Sequence, residues 1–156
     1  FFMKMLWAAF LLFLPLSLLA RPYGMGKPHG GAKPSKNIHL ASGTLVLDGA
    51  KDVVTAAKGI KTLFLVVYES GTRMPYGAKK VVLTKDAVGS FYKFKLGTDN
   101  IQMMRGGVAP AKLKIKARLD KDGSAGPDSV GDVVGIIDGV NVGTGKLILK
   151  LKQVMK

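Results

Sequence analysis

One stretch of the chain alternates without a break. Leu113, Ile115, Ala117 and Leu119 interleave with Lys112, Lys114, Lys116 and Arg118. A period of two sends the two sets to opposite faces of an extended strand, whereas a helix would scatter both around its circumference. The segment is therefore expected to be a strand with one apolar face and one cationic face. Such a face has to be buried against another layer, so the alternation demands a layered β-architecture around it.

Other segments read the same way. Leu45–Leu47, Leu63–Tyr68, Lys79–Leu83, Phe91–Leu96, Val133–Ile137 and Lys146–Val154 are short apolar or alternating runs separated by turn residues. In Phe91–Leu96, Tyr92, Phe94 and Leu96 oppose Lys93 and Lys95; in the last run Leu147, Leu149 and Leu151 oppose Lys150 and Lys152. Leu63–Tyr68 (LFLVVY) is continuously apolar, which predicts a central strand covered on both sides. Lys51–Lys58 fits either one helical turn or a loop. About seven strands and no convincing long helix predict an all-β fold, an antiparallel β-sandwich. An immunoglobulin-like arrangement is expected, with a cupredoxin-like one as the alternative.

The acids cluster in turns: Asp48-Gly49, Asp120-Lys121-Asp122-Gly123 and Asp138-Gly139. Asp side chains hydrogen-bond nearby backbone, and Gly123 can take a positive φ, so turn chemistry accounts for these positions. Asp132 is expected to tie down loop backbone in the same manner, and Pro75 to stiffen a turn.

The N-terminus has another character. Met3-Lys4-Met5 precedes an uncharged apolar run from Leu6 to Ala20, too short to cross a bilayer comfortably and suited to a secretory signal. Arg21–Lys36 holds three Pro, four Gly and four cations, a composition that buries nothing. The expected organisation is residues 1–20 as signal peptide or N-terminal anchor, 21–36 as a flexible basic linker and 37–156 as the β-sandwich domain. A periplasmic location follows from that expectation, with membrane attachment if the signal is retained.

The chain has no cysteine. Disulfides, thiol catalysis and a blue-copper centre are thereby excluded, and apolar burial has to hold the domain together. Basic residues outnumber acidic ones 24 to 10, a net charge of +14. Removing Lys4, Arg21, Lys27, Lys33 and Lys36 leaves 19 against 10 in the domain. With an export signal, nucleic acid is not an expected partner; an anionic membrane surface, an acidic polypeptide or a carboxylated ligand is.

Catalytic materials are sparse. There are two histidines, His29 in the linker and His39 at the start of the domain. No convergent nucleophile, base and metal set emerges, so the expectation is no enzyme and no cofactor. Met25 with His29, or His39 with Met74, Met103 and Met104, would be the donors of a soft-metal site, although methionines at such positions also serve as core filler or contact surface. Asp120, Asp122 and Asp128 loosely suggest a calcium loop but lack the acid spacing and terminal Glu of an EF-hand. The row Lys112, Lys114, Lys116 and Arg118, with Lys93 and Lys95 on a neighbouring strand, forms either an anion-binding stripe or a solvated face that discourages edge pairing. Met74, Pro75 and that row are the candidate binding residues.

Six short blocks, in order, carry a resemblance. They are Gly43-Thr44-Leu45-Val46-Leu47-Asp48; Thr62-Leu63-Phe64-Leu65-Val66; Met74-Pro75 with Lys79-Lys80; Phe94, Leu96 and Asp99 with Met103-Met104; Ala117-Arg118-Leu119 with Gly123; and Gly131-Asp132-Val133 with Gly135. Together they resemble the C-terminal periplasmic domain of the cytochrome c-type biogenesis protein CcmI, called CycH or CcmH in some lineages. The resemblance runs from about Leu40 to Val154. It implies an immunoglobulin-like, non-catalytic domain whose partner is an apocytochrome c or another component of System I cytochrome c maturation. Tyr76-Gly77 departs from the family, which favours small or apolar residues after Met-Pro. The rival expectation is a periplasmic copper or haem carrier using the Met/His set or the cationic strand.

Overall fold

The computed structural model describes residues 36–156. The expected signal and all of the linker before Lys36, with Met25 and His29, lie outside the described residues. Among the described residues, nine strands and one helix follow in order: β1 (His39–Leu47), α1 (Lys51–Ala57), β2 (Thr62–Glu69), β3 (Pro75–Val82), β4 (Ser90–Gly97), β5 (Gln102–Met103), β6 (Lys112–Asp120), β7 (Val133–Asn141), β8 (Thr144–Leu151) and β9 (Gln153–Val154). Seven of them are eight or nine residues long, and each of the seven anticipated runs overlaps one of these, Lys79–Leu83 passing the end of β3 by one residue and Lys146–Val154 running on into β9. No helix among the described residues is long and apolar enough to cross a membrane.

The strands form two sheets, a three-stranded one in the order β4-β1-β8 and a six-stranded one in the order β5-β3-β2-β6-β7-β9. Their inner faces share one core, in which Leu45, Leu65, Ile115, Leu119 and Leu149 are all buried. The architecture is an all-β sandwich dominated by antiparallel pairing. One pair departs from the expected antiparallel pattern: β1 and β8 run parallel, with Thr44 opposite Ile148 and Leu47 opposite Leu151. Strands from opposite ends of a chain have no hairpin to impose an antiparallel direction.

Alternation explains most of the burial. Leu113, Ile115, Ala117 and Leu119 of β6 point into the core as expected, and so do Phe94 and Leu96 of β4. The Lys51–Lys58 segment resolves into α1, whose Val53 and Ala57 lie four apart on one buried face. Two turn readings need correction. Pro75 opens β3 instead of stiffening a turn, opposite Tyr68 at a register shift, a position that needs no amide donor. Asp138-Gly139 lies within β7 at a bulge, where Asp138 accepts hydrogen bonds from the Ser70 hydroxyl (2.6 Å) and the Gly139 N–H (2.7 Å).

The sheets are joined at one corner. After Leu151 the chain leaves the small sheet, Lys152 N–H donates to the Val134 carbonyl (3.1 Å), and β9 pairs with β7 of the large sheet. Gly135 is needed here, because a Cβ at that position would collide with the Lys150 carbonyl.

Candidate functional site

The outer face of the six-stranded sheet carries the deepest departure from expectation. Lys112, Lys114, Lys116 and Arg118 do share one face of β6, but β6 is an interior strand between β2 and β7, and of the four only Lys112 is exposed. The segment 121–132 crosses this face, and Arg118 beneath it is only 5% exposed. The solvated stripe is therefore corrected to a mostly covered one. Lys93 and Lys95 do not extend it; they sit on β4 in the other sheet.

Arg118 is a hub. Its guanidinium pairs with Asp120 (2.9 Å) and Asp128 (3.3 Å), donates to the Gly126 and Ser124 carbonyls (2.7 and 3.2 Å), and lies 5.0 Å from the Phe64 ring centroid. Its Nε is buried without a hydrogen bond, 3.8 Å from Asp132 Oδ2. Asp132 is fully buried and accepts the Lys121 and Ser129 N–H groups (3.0 and 2.8 Å), which is the loop-tying role expected of it. Asp120 accepts the Gly123 N–H at 2.5 Å, and Gly123 adopts φ 74°, so the turn also forms as read. Burial pushes the Asp120 carboxyl above its ordinary range, against the pull of Arg118 and that N–H. Asp120, Asp128 and Asp132 thus gather around a guanidinium, while Asp122, its carboxyl against that of Asp120, accepts the Ser124 N–H (2.7 Å).

The other cations are also engaged. Lys116 Nζ pairs with Asp128 at 2.5 Å. Lys114 Nζ donates to the Thr72 carbonyl (2.7 Å) and lies 4.9 Å from the Tyr68 ring centroid. Lys80 on β3 donates to the Gly123 carbonyl (2.8 Å) and lies 5.5 Å from the Phe64 centroid. These contacts follow from register, since Phe64 of β2 stands between Lys80 and Arg118 and Val66 between Ala78 and Lys116. A ring flanked by cations on both sides gains cation–π attraction and shields their aliphatic stems.

Between the crossing segment and the sheet edge runs a groove of about 480 Å³. Phe64, Val66 and Tyr68 floor it. Ala125, Gly126, Pro127 and Asp128 form one wall, and Pro75, Gln102 and Met104 the other. Burial, with Asp128 nearby, pushes the Tyr68 phenol above its ordinary range. The lining contains no Ser, Thr, His or Cys, and the one carboxylate, Asp128, is held by Lys116 and Arg118. The surface can enclose an apolar or aromatic group and contact it with soft side chains.

The candidate residues sort clearly. Pro75, Lys116 and Arg118 line the groove; Lys114 adjoins its floor through Tyr68; Lys112 lies beyond it; Met74, 64% exposed, precedes the Pro75 rim. His39 begins β1 in the small sheet, its Nδ1 buried without a partner, whereas Met103 and Met104 lie at and just past β5 on the edge of the large sheet. Among the described residues, no group of three or more His, Cys, Asp or Glu side chains is placed to hold a metal ion. Sequence reasoning missed Phe64, Val66 and Tyr68. Their spacing of two was visible, but continuous hydrophobicity read as burial on both faces. The chain matches no protein-family model, no curated protein and no solved structure.

Proposed function

We propose that the domain is a non-catalytic binding module that holds an extended segment of a protein partner along the Phe64–Val66–Tyr68 floor. The observation carrying this is the half-open groove itself. It has an apolar and aromatic base, Pro75 and Met104 on one rim, and cations already engaged by carboxylates and carbonyls. Recognition by such a surface rests on apolar area and on alternate side chains of an extended ligand, not on net charge. Methionine at a rim adapts to differing side chains. The resemblance to the cytochrome c-type biogenesis domain supplies the partner class: an unfolded apocytochrome c segment or a maturation component, met in the periplasm by an immunoglobulin-like sandwich.

The test titrates the full chain with fluorescently labelled apocytochrome c peptides and with maturation subunits. Saturable binding that changes little with salt is expected. Val66→Ser and Met104→Ser should each weaken it by about tenfold, the scale of one buried apolar side chain. No binding of any peptide or subunit, even at low salt, defeats the partner assignment. Copper(I) or haemin added to the same chain should leave its melting temperature unchanged; a rise would favour the carrier instead.

A further inference from the structure

The three strands of the small sheet contain no Asp or Glu, yet carry Lys93 and Lys95 on β4 and Lys146 and Lys150 on β8. Register decides which way they point. Phe94 pairs with Gly43 and Leu149 with Leu45 on the core side, so Lys93 opposite Thr44, Lys95 opposite Ser42 and Lys150 opposite Val46 lie on the outer side. Lys146 sits at the bulge where β8 enters the sheet. Among the described residues, Lys93, Lys95 and Lys146 make no ion pair; Lys150 alone has one, with Asp48 at 2.9 Å. In the middle of this face stands Ile148, 71% exposed, opposite Thr44.

We infer that this outer face is a docking surface for an anionic lipid bilayer. Unpaired lysines on one face, with no acid in any of its strands, are complementary to a sheet of negative headgroups, and each adds roughly a fivefold gain in partitioning. Ile148 selects the bilayer over a hydrated polyanion. An apolar side chain ringed by cations gains on entering the headgroup–acyl boundary and gains nothing against a phosphate or sulfate chain in water. The surface lies on a different sheet from the groove, so either assignment stands without the other.

The experiment is co-sedimentation of the full chain with phosphatidylglycerol–phosphatidylcholine vesicles and with pure phosphatidylcholine vesicles. Binding to the anionic vesicles that fades with added salt is expected. The double variant Lys93→Gln/Lys95→Gln should lose about 25-fold in that binding. A control with the same charge change elsewhere, Lys58→Gln/Lys112→Gln, should lose far less, which separates this face from net charge and from the apolar run Leu6–Ala20. Ile148→Ser should weaken vesicle binding several-fold without altering retention on heparin. Equal losses in the two doubles overturn the inference. So does tighter binding to heparin than to vesicles with no effect of Ile148→Ser, which assigns the face to a polyanion. Matched melting temperatures for all variants confirm that folding is not what changed.

Discussion

The outer faces of the two sheets are built from the same alphabet, lysines alternating with apolar residues, yet they end in opposite states. On the six-stranded sheet, Arg118, Lys116, Lys114 and Lys80 are paired with carboxylates, carbonyls or rings beneath and beside the 121–132 segment. On the three-stranded sheet, Lys93 and Lys95 meet no partner among the described residues. A crossing segment that brings acids makes the difference. Where it lies, a cation is a structural tie; where no described segment crosses, the cation remains available to an outside partner.

Exchanging one cation on each face tests the contrast most sharply. Arg118→Met should destabilise the domain by about 3–5 kcal/mol, since it strands Asp120 and Asp132 as buried charges without their guanidinium. Lys93→Met should change stability by no more than about 0.5 kcal/mol. Urea unfolding followed by circular dichroism measures both, and equal effects would erase the distinction. Next in size is the corner where the faces meet. Gly135→Ala forces a Cβ into the Lys150 carbonyl and should cost about 1–3 kcal/mol by the same measurement.

The pH dependence separates the faces more gently. Asp120, under the crossing segment, has its carboxyl raised by burial. The folded chain therefore holds this proton more tightly than the unfolded chain. Its contribution turns increasingly unfavourable as pH rises from the unfolded value through the folded one. Asp120→Asn should gain on the wild type across that window in unfolding titrations run at stepped pH. Asp48, at the margin of the small sheet, behaves oppositely: hydrogen bonds from Lys150 and the Ala50 N–H hold its carboxyl below the ordinary range. The stability it supplies is present above the unfolded value and is lost as pH falls through the folded one. Lys150→Met should make the acid limb of the stability curve shallower, the smallest of these effects because the pair is exposed.

Strand existence was legible wherever one face is buried and the other is not, as in β6 and β4. There, alternation is a direct consequence of the two environments. The parallel β1–β8 pairing was not legible, since nothing local encodes which distant strand lies alongside. The groove was half legible. Pro75, Lys116 and Arg118 were singled out from β6 and the Met-Pro step, but the floor residues Phe64, Val66 and Tyr68 were hidden inside an unbroken apolar run. Burial of Arg118 depends on Gly126 and Asp128 arriving from a turn whose path the residues do not announce. Asp132 was readable because a short acid beside a glycine has few uses other than tying backbone.

The parallel pairing of β1 with β8 also bears on when this domain can form. β1 begins at residue 39 and its partner β8 ends at residue 151, so the small sheet waits for a strand far along the sequence before its central strand has both neighbours. Pairings that span a whole domain are slow, because the loop entropy is lost before contacts compensate for it. While residues 144–151 are still inside the ribosome, β1 can be held on one side only, and the small sheet closes once they are free. Until then the edge of β1 that β8 covers stands unpaired, a row of backbone donors and acceptors open to any other strand.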